Sequence, residues 1–522
     1  MRRKKKMSIN DMLILLFAIV LLGCGCNEIN NNNNDNDQPV IGDNLQEIID
    51  SSEDYISIPG EKFEIKTGLA LKSGVYQGQK DKTIIFVTDS FNAGKNKPND
   101  EFAVFNKNFN LNFNNNADDI TIKDVTFILE NKSNKSTILT LLGFANIKQL
   151  TLERCKVIVK NDYKLEQCGF DIYAACKNVT LKNCEFEIST FGETGGNWIR
   201  NYSTDYTGNS VSENIIIDSC VFKTNSKDEA LAVYGWNNVM KNVLVKNCRF
   251  IQTDNAAKAN MLISIFGSDR SPYDNKNGEI SDVILDSNYY EVNNTDAFVL
   301  QIGNDSEIGT VDKISVLNSE IYVNCNLVAP VRGYSYCTNT SVERCKFYLS
   351  NNAEVNTGIY SIKNAVSNEF IGGKIDSCFD DVENVIDNLC KNVNVETFAR
   401  DCLNVKNNDV LCSTLCTLYY LRNSVNIIQN NFIMGSINKN AIMAINNNSS
   451  KNKKADITID GNTIDMKSTK NKLAWTSDQN VKFYISNNII TNAKNGVIVD
   501  PSSALVLDSK NSKNGKVKSL NS

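Results

Sequence analysis

The sequence contains no histidine and only six prolines in its 522 residues. Without histidine the chain cannot form Ser-His-Asp or Cys-His nucleophile systems, zinc sites with histidine ligands, or imidazole acid–base chemistry. Its 16 cysteines include no Cys-x-x-Cys pair. The net charge of -5 is small for a chain of this length, which argues against nucleic acid as a partner. With 41% hydrophobic residues, the chain can nevertheless bury an extended core.

A phrase of about fifteen residues recurs along the chain. Its clearest copy spans residues 176–190, with the sequence CKNVTLKNCEFEIST, and further copies begin at Ser212, Met240, Ile280, Val311, Lys454 and Asn480. Self-similarity at a period of about 30 residues is typical of stacked coils, in which each unit buries its apolar edge against its neighbours. The repeat therefore predicts a solenoid.

Each copy of the phrase combines two short strands with a corner between them. Val179 and Leu181 alternate with polar residues, and the alternation resumes one residue out of phase at Cys184, after Asn183. Asparagine tolerates the left-handed backbone region, so we expect Asn183 to turn the chain there. The equivalent corners are Arg154, Asn247, Arg344, Gly461 and Asn487. Since the next copy arrives too late to pair antiparallel, we expect parallel stacking with a spacing of about 4.8 Å.

The residue after each corner forms a ladder down the chain: Cys155, Cys184, Cys220, Cys248, Asn288, Ser319, Cys345, Asn430, Asn462 and Asn488. A thiol suits a tight core position, and an asparagine there can bond to the equivalent amide one coil away. We therefore predict a structural ladder. A metal or redox site built from these thiols is the alternative.

A third strand precedes the phrase in each coil. The segments are 137–142, 169–173, 197–202, 230–234, 261–266, 297–302 and 327–332. The sequence thus predicts an all-β solenoid with three strands per coil and about twelve coils. The stretch from about 375 to 416 shows the least regular pattern, and we place its coils only loosely.

The N-terminal part of the solenoid resembles a known superfamily. A short apolar helix near residues 45–49 is followed by YISIPG at 55–60, LALKSGVYQG at 69–78 and TIIF at 83–86. These steps and the recurring N-V-x-L-x-N-C-x-F phrase resemble the pectate-lyase superfamily of right-handed parallel β-helices, over residues 45 to about 498. The resemblance implies the fold and a capping helix over the first coil. No lyase signature string is present, so no catalytic residue is assigned by motif.

The N-terminus has the pattern of an exported lipoprotein. A basic head at residues 2–6, an apolar run at 12–22 and Leu21-Leu22-Gly23-Cys24 resemble a bacterial signal peptide with a lipobox. We predict a signal peptide at 1–23, a lipidated, palmitate-bearing Cys24 with an Asn-rich tether at 24–40, the β-helix at 41–505 and a polar tail at 506–522. Gly25 favours the outer membrane of the cell envelope over the inner membrane. An uncleaved membrane anchor is the alternative.

Two irregular intervals in the ladder predict a trough. The spacing reaches 36 residues before Cys220 and 40 before Asn288, because long loops follow the third strands there. Two tall loops flanking a short one would form a trough about 10 Å wide. We expect it to be lined by outward side chains: Asp171, Tyr173, Trp198, Arg200, Tyr202, Asp205, Tyr206, Glu229, Tyr234, Trp236, Asp269, Arg270, Tyr273 and Arg332.

These residue types suggest a polysaccharide ligand. Aromatic rings stack on pyranose rings, so Trp198, Tyr202, Tyr234, Trp236, Tyr273 and Arg332 are the predicted substrate-binding residues. Packing at the coil edge is the alternative for the two tryptophans. In lyases of the resembling superfamily an Arg or Lys removes a proton beside a uronate, and Ca²⁺ or another Arg neutralises the carboxylate. For such chemistry the catalytic candidates among the trough residues are Arg200, Arg270, Asp171 and Glu229, and Ca²⁺ is the candidate ion that the acids could hold.

The sequence therefore favours a lipid-anchored envelope β-helix that binds a polysaccharide. Lyase-type cleavage of an acidic glycan by β-elimination is an additional activity that the sequence neither assigns nor excludes. A non-catalytic adhesin or structural envelope protein is the alternative function. A metal or redox protein is the third, and it requires accessible thiols close to one another.

Overall fold

The chain divides into two units, Met1–Pro39 and Val40–Ser522. The computed structural model describes residues 40–517 except 42, 67–68, 70, 89–117, 132–139, 162–167, 174, 191–195, 202–209, 228, 236–237, 254–260, 268–277, 296, 304–308, 436–438, 446–453, 468–471, 494–498, 501–504 and 515. The predicted signal peptide, Cys24 and the tether lie outside the described residues. In the described part of the chain, no helix combines the length and apolar character needed to cross a membrane.

The described residues form a right-handed parallel β-helix with three sheets. From Thr140 to Lys513 each coil contributes one strand to each sheet, as the alternating hydrophobic pattern predicts, and the final strand Lys516–Val517 pairs antiparallel with Ser512–Lys513. Sheet 1 contains Thr140–Phe144, Cys168–Tyr173, Asn197–Arg200, Leu231–Tyr234, Ile263–Phe266, Phe298–Ile302, Ala329–Arg332, Glu354–Tyr360, Lys374–Asp380, Asn394–Arg400, Thr414–Leu418, Ile442–Ala444, Ala474–Thr476 and Val499–Asp500.

Sheet 2 follows sheet 1 in each coil. Its strands are Tyr55–Ser57, Gly74–Gln77, Asp119–Lys123, Gln149–Glu153, Lys177–Lys182, Val211–Asp218, Val239–Lys246, Glu279–Asp286, Thr310–Leu317, Ser341–Glu343, Asn364–Val366, Asn384–Ile386, Asn404–Lys406, Ser424–Ile428, Ala455–Asp460, Val481–Ser486 and Leu505–Ser509.

Sheet 3 completes the coil. Its strands are Val40–Ile41, Lys62–Ile65, Ile84–Thr88, Thr126–Asn131, Lys156–Asn161, Glu185–Thr190, Val221–Thr224, Arg249–Gln252, Tyr289–Val292, Glu320–Val323, Lys346–Leu349, Glu369–Ile371, Leu389–Lys391, Asp409–Cys412, Asn431–Met434, Thr463–Asp465, Ile489–Thr491, Ser512–Lys513 and Lys516–Val517. Three strands per coil are confirmed. Sheet 1 has fourteen strands within the described residues, so the solenoid has more coils than the twelve predicted.

The corner between sheets 2 and 3 adopts the predicted left-handed conformation. Asn183 has a φ of 53° and Asn247 of 56°. The less favourable Arg154 and Arg344 adopt the same region, with φ of 53° and 54°. Parallel stacking thus imposes the corner geometry even on residues that avoid it in isolation.

The ladder after each corner is a core feature, as predicted. Cys184 is 2% exposed, and Asn488 is fully buried. Each ladder asparagine accepts a hydrogen bond from the backbone N–H of the preceding ladder residue. The bond from Asn430 N to Asn462 Oδ1 is 2.9 Å long. The buried thiols therefore fill space in the described coils.

The stretch from 375 to 416, which the sequence analysis treated as irregular, is the most compact part of the solenoid. The ladder continues through Asn368, Asn388 and Asn408, and these residues are 20 positions apart. The strand Lys374–Asp380 pairs in register with Asn394–Arg400. A coil of 20 residues has room for three strands and tight corners only, which makes the 30-residue phrase a poor template here.

One continuous core runs through the interior. At its N-terminal end the helix Asp43–Ser51 contributes Leu45 and Ile49, which are buried in that core. This placement agrees with the predicted cap. At the other end the coil continues past the predicted boundary at 505, because Asn511 extends the ladder and Ser512–Lys513 pairs with the sheet. The tail predicted at 506–522 therefore begins too early.

Candidate functional site

The outer face of sheet 1 carries a row of side chains in strict register. Pairing places Asp171 beside Trp198, then Ala232, Ser264, Gln301 and Arg332 on successive strands. The row continues through Tyr360, Asp380, Arg400, Thr417, Met443 and Trp475. We call this the outer row. It runs along the solenoid axis, because each member sits one strand further along.

The N-terminal end of the outer row is buried, and so is Arg200, which follows Trp198 by two residues on the same face of sheet 1. Asp171 and Arg200, predicted as catalytic residues of an open trough, are 3% and 1% exposed. Arg200 donates two hydrogen bonds to Asp171, from Nε at 3.0 Å and from Nη2 at 2.5 Å. A buried bidentate pair has its charge and hydrogen-bonding groups engaged. The structure thus places this pair in packing and not at a solvent-lined surface.

The aromatic side chains predicted to bind substrate in this region also pack. Trp198 and Tyr234, 6% and 9% exposed, form a small outer cluster with Ala232 and Phe266. The guanidinium of Arg200 lies 4.7 Å from the Trp198 ring centroid. The packing alternative therefore holds for Trp198. The carboxylate of Glu229, another predicted catalytic residue, is held by hydrogen bonds. Its Oε1 accepts them from the hydroxyls of Tyr234 and Ser264, both at 2.9 Å.

Several predicted residues cannot be located. Tyr202, Trp236, Arg270 and Tyr273 lie outside the described residues, as do Asp205, Tyr206 and Asp269, and nothing is described of the Tyr173 side chain. The assignments of these residues stay predictions.

The calcium expectation does not fit the residues that are described. Asp171 is engaged by Arg200, and Glu229 by two hydroxyls. Calcium needs six to eight oxygen ligands converging on one point. In the coils that the structure describes, no group of three or more Asp, Glu, Cys or His side chains is arranged to hold a metal ion.

A more open arrangement lies further along the outer row, from Arg332 to Trp475. Arg332 is the predicted binding residue that lies here. Its guanidinium sits 4.7 Å from the ring centroid of Phe298, 4.5 Å from that of Tyr334 and 5.6 Å from that of Tyr360. Tyr360, Met443 and Trp475 are partly exposed. Three charged residues, Arg332, Asp380 and Arg400, thus share one line with aromatic and aliphatic surface, and Thr417 in the middle of this line is buried.

Asp380 is the partly exposed carboxylate of this row. It accepts a hydrogen bond of 3.1 Å from Arg400 Nη1, and its side chain is 15% exposed. Burial, together with the nearby Asp401 and Asp381, raises the pKa of Asp380 to about 6 against the opposing effect of Arg400. Near neutral pH a fraction of Asp380 is therefore protonated.

In two neighbouring coils the residue after the outer-row member is an aspartate. Asp381 and Asp401 both have positive φ, at 54° and 51°, and occupy equivalent corners. Asp381 accepts hydrogen bonds from Ser361 Oγ at 3.0 Å and from Arg422 Nη2 at 2.6 Å. Asp401 is 4% exposed, and its Oδ1 accepts the backbone N–H groups of Tyr419 and Tyr420 at 2.6 and 2.7 Å. Asp401 thus fixes the segment that carries Tyr420 and Arg422.

A cavity of about 320 Å³ opens beside this part of the row. It is lined by Tyr334, Ser335, Cys337, Thr338, Asn339, Ser361, Ile362, Lys363, Asp381, Glu383 and Arg422. Most of these follow an outer-row residue within a few positions, as Tyr334 follows Arg332 and Ser361 follows Tyr360. The cavity therefore lies where the sheet 1 strands end.

The predicted site residues do not include Asp380, Asp381, Asp401, Arg400 or Arg422, because the prediction rested on the longest intervals of the repeat. A signal was present at a shorter period. The segments SCFDDVENV and TFARDCLNV begin at 377 and 397. Aligning them at 20 residues places Asp380 beside Arg400, as the strand register confirms, and Asp381 at the corner equivalent to Asp401.

Comparison with known proteins identifies no family. No protein-family model matches the sequence, and no curated protein does. Among solved structures, the surface adhesin PfbA of Streptococcus pneumoniae gives a TM-score of 0.29 at 12% identity, with 90% of both chains covered. A tailspike protein of the E. coli bacteriophage HK620, solved with a pentasaccharide, gives 0.32 at 12% identity, covering 90% of this chain and 74% of the tailspike.

A third structure, the Agl-KA catalytic domain, gives a TM-score of 0.27 at 8% identity, covering 90% of this chain and 64% of that one. With TM-scores below 0.5, these likenesses contribute nothing to the assignment of function, which rests on the site. Membership of the pectate-lyase superfamily and the lipoprotein signal stay predictions.

Proposed function

We propose that this protein binds a polysaccharide chain along the outer row from Arg332 to Trp475. The observation that carries the proposal is the register itself, which sets Arg332, Tyr360, Asp380, Arg400 and Trp475 in one line. Seven strands at the parallel spacing give a line about 29 Å long. A polymer with repeated rings and hydroxyls matches such a repetitive surface better than a compact ligand does.

The residue types of the row suit sugar rings. Tyr360 and Trp475 offer aromatic surface, while Arg400 and Asp380 offer directional hydrogen-bonding groups between them. The row lies across the strands, so the glycan runs parallel to the solenoid axis. Arg332 is held among three rings, which restricts its side chain before any ligand arrives.

Glycan-array screening of the folded chain, followed by calorimetry with Tyr360→Ala and Trp475→Ala, tests the proposal. Each substitution is expected to weaken binding about tenfold, the loss of one aromatic contact. Tyr322→Ala is the matched control, because Tyr322 stacks between Tyr289 and Tyr348 on sheet 3, with centroids 4.9 and 4.6 Å away. Unchanged binding in both row variants would refute the proposal.

The predicted lipid at Cys24 would fix this surface to the cell envelope. The basic head, apolar run and Gly23-Cys24 pair support this part of the proposal. Expression with a labelled fatty acid should label the full chain and leave Cys24→Ser unlabelled. Equal labelling of the two chains would exclude lipidation at this position.

Cleavage of the bound glycan is the second candidate function. Asp380 favours it, because a carboxyl group with a pKa raised to about 6 can donate a proton to a leaving group near neutral pH. β-Elimination of an acidic glycan would draw on the arginines of this cluster to bind a uronate. Arg200 and Asp171 take no part in it.

Incubation with a panel of uronic-acid and neutral polysaccharides separates these functions. Absorbance of an unsaturated product reports β-elimination, and new reducing ends without that absorbance report hydrolysis. Either activity should fall at least 100-fold in Asp380→Asn, the usual size of a general-acid effect. Binding without product would leave the adhesin-type function, in which the glycan is held and not cut.

A further inference from the structure

We infer that the cavity between Tyr334 and Arg422 receives a neutral monosaccharide branch of the polysaccharide, so that this protein selects substituted over linear chains. The inference rests on the proposed function, because the branch is presented by a backbone lying on the outer row. It assigns the cavity a ligand of its own.

The position of the cavity supports a branch. Its wall residues Tyr334, Ser361 and Asp381 follow outer-row residues Arg332, Tyr360 and Asp380 by one or two positions. The cavity therefore opens to the side of the row, where a linear backbone running along the axis would pass without filling it. A volume of about 320 Å³ lies at the low end of ligand sites, which suits one small group.

The charges of the wall favour a neutral group. Two cations, Lys363 and Arg422, face two carboxylates, Asp381 and Glu383. Arg422 is already paired with Asp381 at 2.6 Å. A sulfate or uronate branch would be attracted by the Lys363 ammonium and repelled by the Glu383 carboxylate. Hydroxyl groups of a neutral sugar can donate hydrogen bonds to the carboxylate and accept them from the ammonium.

Hydrogen-bonding capacity remains for such hydroxyls. Within the part of the chain that the structure describes, the Glu383 carboxylate has no hydrogen bond or ion pair. Lys363 Nζ donates one bond, to Asn339 Oδ1 at 3.2 Å, and an ammonium has three donors. The floor includes buried Ile362 and Cys337, apolar surface against which the body of a sugar ring can pack.

Calorimetry with matched oligosaccharide pairs tests the inference. The pairs are xylohexaose with and without an arabinosyl branch, mannohexaose with and without a galactosyl branch, and cellohexaose with and without a xylosyl branch. The wild-type chain is expected to bind the branched member of at least one pair tenfold more tightly. Xylohexaose with a glucuronosyl branch is the charged comparison and should show no such gain.

Ser335→Trp fills the cavity from an exposed turn position. It should abolish the preference for the branched oligosaccharide and preserve affinity for the linear one. Glu383→Gln should reduce the preference several-fold with the cavity volume unchanged. Asn351→Trp, an exposed turn residue outside the cavity wall, is the control and should preserve both affinities.

The outcomes separate the two proposals. Equal affinity for linear and branched members, a gain with the charged branch alone, or a preference that survives Ser335→Trp overturns the branch inference and leaves backbone binding in place. Failure of every oligosaccharide pair to bind overturns the branch inference, and the absence of any bound glycan on the array overturns backbone binding as well.

Discussion

Replacing Asp380 by asparagine is expected to stabilise the fold above about pH 6 and to leave its stability unchanged below about pH 4. The side chain is 15% exposed, and burial raises its pKa to about 6 in the folded protein. In the unfolded chain an aspartate has a pKa of about 3.9. A difference of about two pKa units corresponds to about 3 kcal/mol, and asparagine removes this term.

The direction follows from proton binding. Between about pH 4 and pH 6 the folded state holds a proton on Asp380 that the unfolded state has released, so the free energy of unfolding falls as pH rises. Above pH 6 the wild-type protein bears the full cost of a buried carboxylate. The pKa of about 6 already includes the favourable effect of Arg400, so the expected gain for Asp380→Asn at pH 7.5 is about 2–3 kcal/mol.

Urea unfolding of the wild-type protein and of Asp380→Asn between pH 4 and pH 7.5 measures this gain. It is the difference between the two free energies of unfolding, in which the contributions of all other titrating groups cancel. Because coils of a solenoid can unfold separately, hydrogen exchange of the strand Lys374–Asp380 provides the local readout. Asp376→Asn, on the same strand, is the control and should follow the wild-type profile. A destabilised Asp380→Asn protein at pH 7.5, or a gain independent of pH, would contradict the assigned role of burial.

Other substitutions test the ladder, the corner and the thiols. Asn388→Ala should destabilise the protein by about 2–4 kcal/mol in urea unfolding, because it removes the acceptor of the buried Asn368 N–H. Asn384→Ala, in a half-buried asparagine ladder on sheet 2, should cost less than about 1 kcal/mol. Equal losses in the two variants would be inconsistent with the assigned burial. Asp401→Ala should lower thermal stability and glycan affinity together by freeing two backbone N–H groups, while Asp401→Asn keeps an acceptor and should retain most of both. In the folded chain the ladder cysteines should resist maleimide until denaturant is added, and rapid labelling would favour the redox alternative.

The fold could be predicted from the sequence because many copies of the repeat predict the same coil geometry. A period-two alternation, an out-of-phase corner and a buried ladder residue recur together, and an error in one copy is corrected by the others. The left-handed φ of Arg154 illustrates this, since arginine alone predicts no such corner. The seven predicted sheet 1 strands were found for the same reason, each within a few residues of its observed bounds.

The site could not be predicted from the same repeat, because the outer face of sheet 1 is free of the repeat's constraints. Whether an outward residue is buried depends on what lies over it. Trp198 and Tyr360 are both aromatic and both outward in the outer row, yet the first is 6% exposed and packed, and the second is partly exposed. Only three-dimensional neighbours separate the two cases.

Coil length explains why the candidate site lies at the compact coils. Where the ladder spacing reaches 36 and 40 residues, the described outward side chains Arg200 and Phe266 are buried. Where it falls to 20 residues, a coil contains only strands and corners, and Asp380 and Arg400 keep part of their surface in solvent. A long interval between ladder residues therefore indicates a coil with residues beyond its strands and corners, and a short interval indicates a coil made of strands and corners alone. For a solenoid that binds a linear polymer, bare sheet with one charged or aromatic residue per strand is the more suitable surface, and the shortest period is the part of such a sequence to search first.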